Sequence, residues 1–366
     1  MCRMKGDAGL PVLPSKSSCT GCCGCANACP VAAIHMVMTG EGFYHPGIDA
    51  EKCTRCGLCT HHCPVTSPPR ISNRSADTVR AYAAWTRNDG TRFASSSGGV
   101  FSALARLVLG DGGMVSGAAW SEDWTVSHVM VATEKDLASL RGSKYLQSRV
   151  GDAYRRVVQA LHETEGPVLF SGLPCQVAAL RIFVEDRRLL TVDVVCHGVP
   201  SLAVFHKYLQ SVAGGRKVTG INFRDKRKGW SRFSLAITFD DGSEYVRMFR
   251  EDPFMAGFLG NLYSNEACYR CPFCTMPRQG DITLADYWGV SRELKSDLGV
   301  SLVLANNDKS DEWLEKLLKR GDVEMHETPF ESAVRGNPRL VDGDRAIPAL
   351  RSDHFHDLLH GVFGPV

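Results

Sequence analysis

Cys19, Cys22, Cys25 and Cys29, followed by Pro30, recur as Cys53, Cys56, Cys59 and Cys63, followed by Pro64, so that the second set is the first displaced by 34 positions. No other feature constrains the chain as tightly. Three thiolates spaced two residues apart wrap one corner of a cuboidal iron–sulfur cluster, and the fourth, before proline, is directed to the neighbouring cluster. The spacing therefore assigns Cys19, Cys22, Cys25 and Cys63 to one 4Fe–4S cluster, and Cys53, Cys56, Cys59 and Cys29 to a second. Paired zinc knuckles also use four-cysteine sites, but two complete spacings with both prolines favour clusters. Cys23 falls between ligands and breaks the spacing, so it reads as a small residue packed behind them. Cys2 reads as an incidental thiol, and His61 and His62 as loop residues, since the cysteine sets are already complete.

This run, over roughly residues 15–68, resembles bacterial two-cluster ferredoxins. The stretch between the repeats, "AAIHMVMTGEGFYHPGIDAEKC", alternates like the short hairpin that the resemblance implies. The chain of 366 residues carries a formal net charge of +2, which argues against a chain-wide nucleic-acid footprint. "MCRMKGDAGLPVLPSK" has neither the apolar core of a signal peptide nor a twin-arginine pair, and no apolar run approaches the roughly 18 residues of a membrane span. The expectation is a cytoplasmic protein with no membrane span, in which fifteen cysteines serve metal or redox chemistry rather than disulfides.

Residues 64–78, "PVTSPPRISNRSADT", read as a linker. Beyond it the pattern is α/β. "FASSSGGVFSALARLVLG" is a Ser/Gly loop feeding an apolar helix, and "GGMVSGAAW" and "VSHVMVAT" read as strands. "PVLFSGLPCQVAALRIFV" and "LLTVDVVCHGVPSLAVFHKYLQSV" are two successive strand–loop–helix units, as parallel strands require. "KVTGINFRDKRKGWSRFSLAITFDDGSEYVRMF" reads as antiparallel strands, which makes the expected sheet mixed. The expected fold is α+β and α/β: a ferredoxin-like domain over 1–70, an α/β domain with a mixed sheet over 71–320, and a helical extension over 321–366. Cys175 and Cys196 stand at the carboxyl ends of the two strands, where open α/β sheets bind ligands. Together with Cys268, Cys271 and Cys274 of "CYRCPFC", they offer a site for a third cluster or a zinc ion.

"SSSGGVFSAL", "LRGSKYLQS", "FSGLPCQVAAL", "VCHGVPS", "FRDKRKGW", "CYRC" and "DITLADYWGV" occur in the order seen in the coenzyme F420 hydrogenase/dehydrogenase beta-subunit family, to which plant-type 7-hydroxymethyl chlorophyll reductase is related. The resemblance spans roughly residues 78–320. It implies a flavin, FAD or FMN, beside an iron–sulfur cluster held by Cys175, Cys196, Cys268 and Cys271. Cys274 stands where the family is expected to have another residue, often lysine, and is an alternative to Cys268. Ser97, Gly98 and Gly99 at the start of the apolar helix, Lys144 of "GSKY", and Gly172 and Gln176 of "FSGLPCQ" become the expected flavin contacts. A helix N-terminus behind glycines suits a phosphate, and an ordinary serine cap is the competing explanation. Arg224, Lys226, Arg227, Lys228 and Arg232 of "FRDKRKGWSR" suggest either a patch for an acidic partner, with Trp230 stacking on a ring, or a solvated loop. Asp281 and Asp286 carry no assigned acid/base role.

The function expected is an iron–sulfur flavoprotein oxidoreductase passing electrons between clusters, a flavin and a small organic acceptor or donor, a deazaflavin or another. Its partner is an electron carrier or another redox protein. The rivals are a non-catalytic electron-transfer component of a larger complex and a cluster-stabilised scaffold that has lost flavin.

Overall fold

The computed structural model describes residues 9–348. Cys2 and the end of the expected helical extension lie outside that range.

The cysteine repeat is also a structural repeat. Helix α1 (Gly24–Ala28) carries Cys25 and helix α2 (Leu58–His61) carries Cys59. Each helix is preceded by a residue in the left-handed region, Cys23 at φ 64° and Gly57 at φ 74°. These two occupy equivalent positions of the repeat, so Cys23 stands where glycine is the unstrained choice. Between the helices, β1 (Ile34–Met38) and β2 (Tyr44–Ile48) pair antiparallel with Ile34 opposite Ile48, as the alternation predicts.

The segment expected as a free linker is pinned to the main body. Asn73 Nδ2 donates to the carbonyls of Arg278 (2.7 Å) and Gly280 (2.8 Å). Arg74 reaches Asp308 at 2.7 Å and Asp311 at 2.6 Å. Strand β3 (Arg80–Thr86) follows, then helices α3 (Asp89–Ala94) and α4 (Val100–Gly110). Next come β4 (Met114–Trp120), β5 (Val126–Val131), α5 (Glu134–Leu137), β6 (Ser148–Arg149) and α6 (Ala153–Glu163). The two strand–loop–helix units are β7 (Val168–Gly172) with α7 (Pro174–Phe183), and β8 (Leu189–Val194) with α8 (Leu202–Ala213).

The antiparallel strands β9 (Val218–Asp225), β10 (Ser234–Phe239) and β11 (Glu244–Met248) form a separate three-stranded sheet rather than joining the main one. Helix α9 (Pro253–Leu259) leads through the cysteine loop to β12 (Ile282–Asp286), β13 (Ser301–Ala305) and α10 (Asp308–Lys319). Past residue 320 the expected helical run is broken. β14 (Val323–Thr328) pairs antiparallel with β3, and only then does α11 (Phe330–Gly336) begin. Burial of Val323 and the hydrogen bonds offered by the edge of β3 outweigh helix propensity there.

The main sheet has the order β14-β3-β13-β12-β8-β7-β4-β5-β6. Its centre, β12-β8-β7-β4, is parallel, while β4–β5, β12–β13, β13–β3 and β3–β14 are antiparallel. The sheet is thus mixed, as expected, but through β5, β13, β3 and β14. Helices α4 and α10 pack on one face, and α6 and α7 on the other, in a cluster that also takes in Cys22 and Cys23. Tyr44 joins the aromatic core between α8, α9 and the small sheet. The N-terminal module is therefore docked, not tethered. Among the described residues no helix is long and apolar enough to cross a membrane.

Candidate functional site

Cys19, Cys22, Cys25 and Cys63 line one small cavity together with Met36 and Val65. Cys29 and Cys59 are buried in a second apolar cluster, against which Cys53 packs, and Cys56 is exposed beside them. Backbone N–H groups already point at two of these sulfurs: Ala33 donates to Cys29 Sγ at 3.1 Å and Arg55 to Cys53 Sγ at 3.4 Å. Cys23 lines the first cavity as well, and Cys25 also packs against the second cluster. Cys23 is buried against α6, with its Sγ 3.7 Å from the Gly21 carbonyl.

The other five cysteines gather where β7 and β8 end. Cys175 senses Cys196 and Cys268, Cys268 senses Cys196 and Cys274, and Cys274 is hydrogen-bonded to Cys271. Cys22 and Cys175 lie in one buried cluster and within reach of each other's charge, so this third group adjoins the first. Burial pushes Cys22 up to about 12, Cys196 to about 11 and Cys268 to about 12. Thiols crowded and buried like this ionise only when a metal centre takes up their charge. Among the described residues no three His, Cys, Asp or Glu side chains converge on one point as a single ion requires. The first group lines a common small cavity, and all-thiolate donor sets suit iron–sulfur clusters.

Beside the third group opens a cavity of about 1100 Å³. It lies off the carboxyl ends of the parallel strands, lined there by Gly172, by Val194 to Val199 and by Leu284 to Asp286. This is the crevice that an open α/β sheet offers a ligand. Ser97, Gly99, Lys144, Gly172 and Gln176 all line it. The N-terminus of α4 faces it through Gly99, Val100, Phe101 and Ser102. No side chain caps that helix. Ser95 Oγ donates to Thr91 O, Ser96 Oγ accepts from Ser143 N, and Ser97 Oγ donates to Val300 O, which removes the serine-cap explanation. Lys144 Nζ meets only the carbonyls of Arg141 (3.1 Å) and Gly142 (3.2 Å), and burial pulls its pKa down to about 8.

Gly98 departs from expectation. It does not line the cavity, and its N–H donates to Ser301 Oγ at 2.9 Å. A Cβ there would collide with the Ala84 carbonyl and stand 2.8 Å from Ser301 N. Glycine is needed at this position by the strand seam between β3 and β13, not by a ligand. Gln176 is likewise committed: its Oε1 accepts from Leu173 N (2.9 Å) and its Nε2 donates to Ser148 Oγ (3.0 Å). It shapes the wall at the start of α7.

The basic patch forms only in part: Lys228 and Arg232 are exposed, but the other three cations are committed elsewhere. Arg224 is buried and fork-bonded to Asp286 at 2.5 and 2.9 Å. Lys226 Nζ is spent on the carbonyls of Arg92, Ser97 and Leu298, and Arg227 pairs with Asp225 and Glu244. Trp230 is buried and stacks on Trp288 at 4.6 Å, while its Nε1 donates to Asp286 at 2.6 Å. It is the partly exposed Trp288 that reaches the cavity. Asp281 is a structural anchor between Arg181 (3.0 Å) and Lys309 (2.9 Å).

Residues that sequence reasoning passed over also line the cavity. His128 is buried and stacked on Phe170, and His197 follows Cys196; burial drops the pKa of each to about 4. Arg339 and Arg345 come from the tail. Only the "CH" pair of Cys196 and His197 carried a local signal.

A docked dicluster module and a strand-end crevice with a cysteine group beside it define an iron–sulfur electron-transfer protein of mixed α/β architecture. The amino-terminal pattern of the coenzyme F420 hydrogenase/dehydrogenase beta subunit matches residues 81–154, and the carboxyl-terminal pattern of the same protein matches residues 166–330. Two 4Fe-4S dicluster domain patterns match residues 18–67 and 45–96. The chain belongs to the coenzyme F420 hydrogenase/dehydrogenase beta-subunit family and carries an N-terminal 4Fe-4S dicluster ferredoxin domain. It is similar to the F subunit of F(420)H(2) dehydrogenase from Methanosarcina mazei, with 24% identity over 190 residues. That alignment covers 49% of this chain and 53% of the relative, so the chain spans about half the length of the curated relative it matches. In fold it is similar to a chain of the xenon-derivatised F420-reducing [NiFe] hydrogenase complex from Methanosarcina barkeri, with a TM-score of 0.50 and 17% identity over 71% of this chain and 89% of that one.

Proposed function

We propose that the chain is an iron–sulfur flavoprotein oxidoreductase that exchanges electrons between a carrier or partner redox subunit and a small organic substrate, a deazaflavin among the candidates. The observation that carries this reading is one cavity lined both by Cys196 of the third cysteine group and by an uncapped helix N-terminus. Cys19, Cys22, Cys25 and Cys63 would hold one 4Fe–4S cluster, and Cys29, Cys53, Cys56 and Cys59 a second. Cys175, Cys196, Cys268 and Cys271 would hold a third, with Cys274 hydrogen-bonded behind Cys271. Exposed Cys56 marks the entry side, and the Cys22–Cys175 proximity joins the module to the interior.

Gly99, the first turn of α4, Lys144 and Gly172 would receive a flavin, FAD or FMN. The free N–H groups and the Lys144 ammonium favour its phosphate. The flavin supplies exchange between one-electron and two-electron chemistry, and the protein supplies orientation and electrostatics. The cavity exceeds the roughly 300–1,000 Å³ usual for one ligand, leaving room for a second small molecule. Anaerobic purification followed by flavin extraction and iron analysis tests the reading: about twelve irons and one flavin per chain are expected for three cubane sites. Protein that takes up neither FAD nor FMN removes it.

The relation to one component of a dehydrogenase supports a second reading, a non-catalytic electron-transfer role within a larger complex. Copurifying partner proteins, with no turnover in their absence, would select it.

A further inference from the structure

We propose that Arg339 and Arg345 are the counter-charges of the third cysteine group and that they raise the reduction potential of the cluster bound there; this rests on the reading that the group holds a cluster. Both residues lie in the tail after α11, and the tail is stitched to the cysteine loop. Cys271 N donates to Gly343 O at 3.0 Å, Arg345 N donates to Tyr269 O at 2.8 Å, and Arg270 bridges to Asp344. Gly343 lies so close to the Cys271 carbonyl that a Cβ would collide with it.

Arg339, 7% exposed, donates from Nε to Cys196 O and from Nη2 to Cys268 O, both at 3.3 Å. Its Nη1 donates to the carbonyls of Asp342 and Gly343. Arg345 donates from Nη1 to Asn261 Oδ1 at 2.5 Å, and its Nη2 faces His197 Nδ1 at 3.3 Å. Arg278, the other guanidinium near Cys274, is paired with Asp193 at 3.2 Å. Arg339 and Arg345 have no carboxylate partner among the described residues. The negative charge within reach of both is that of Cys196, Cys268 and Cys274.

Four thiolates give a bound cubane a net negative charge. Uptake of one electron from a one-electron donor, with no bond made or broken, deepens that charge by one unit. Fixed cations stabilise the reduced form more than the oxidised form, so they raise the potential. A raised third potential would draw electrons inward from the N-terminal module.

The test is an EPR-monitored redox titration of the full chain with dithionite, alongside iron content, for wild type, Arg345→Gln and Arg345→Lys. Arg345→Gln is expected to lower the third midpoint by about tenfold in the reduction equilibrium, about 59 mV for one electron. Arg345→Lys should retain most of the wild-type value, and the other two midpoints should not move. Loss of the third signal in Arg345→Gln with retention in Arg345→Lys also supports a requirement for charge. An unchanged midpoint in Arg345→Gln at full iron content overturns the proposal, as does equal loss of the cluster in both variants. Wild-type protein with only about eight irons overturns instead the reading that a third cluster exists, and the proposal with it.

Discussion

The first two cysteine groups and the third are built on different principles. Cys19 to Cys29 and Cys53 to Cys63 are placed by short loops, four left-handed residues and two single-turn helices. The third group is collected from the end of β7, the end of β8, the loop before β12, and a tail that lies on that loop. Local geometry positions the former, whereas the latter depends on the register of the whole main sheet. Damage to the scaffold should therefore reach the third group and the cavity before it reaches the N-terminal pair.

The severest test of that contrast is Gly98→Val. Its side chain has no room beside Ala84 and Ser301, so a loss of more than about 3 kcal/mol is expected. Thermal unfolding and soluble yield report it. A variant of wild-type stability would mean that the β3–β13 seam does not govern the site. Next in size, Cys196→Ala should remove about four irons and leave the ferredoxin EPR signals intact; an unchanged iron content would show that the third group is not a cluster site. Within "CYRCPFC", Cys271→Ala should lose that cluster and Cys274→Ala should keep it, as iron analysis reads directly. The reverse result would move the fourth ligand to Cys274.

A smaller effect is expected at Lys144. With a pKa of about 8 it is a cation below that pH, so affinity for a phosphate-bearing flavin should fall as pH rises through 8. Lys144→Met should weaken binding by about 1.5–3 kcal/mol near neutral pH and flatten the dependence. Flavin titration by fluorescence at several pH values measures both, and an unaltered profile would take Lys144 out of the site. The smallest change belongs to the module itself. Cys23→Gly matches the second repeat and relieves a left-handed cysteine, at the expense of some packing on α6. Iron content should hold, with stability within about 1 kcal/mol of wild type.

What the sequence made legible follows the same division. Ligand spacing is a local property, so the cysteine repeat and its hairpin could be read directly. Strand–loop–helix order was readable too, because β7, β8 and their helices are consecutive in the chain, and it located the crevice at their ends. Partners remote in sequence were not readable. Gly98 looked like part of a phosphate loop because Ser301, two hundred positions away, is what takes its N–H. Lys226 looked like surface charge because the carbonyls of Arg92 and Leu298 that bury it lie on other segments. β14 looked helical because its strand character comes from β3. Arg339 and Arg345 had no local signal at all, since only the fold of the tail over the cysteine loop brings them to Cys196.

Gln147 Nε2 donates to the Thr20 carbonyl at 2.9 Å and the Tyr154 hydroxyl to the Cys22 carbonyl at 2.8 Å, which fastens the first cysteine loop onto the body. Under the proposed reading, this turns what would be an encounter between two proteins into an event inside one. Transfer from the module to the interior becomes a first-order step, independent of concentration and insensitive to ionic strength. Exchange with an external carrier stays second order and screened by salt. A stopped-flow trace should then separate the two by their response to salt alone.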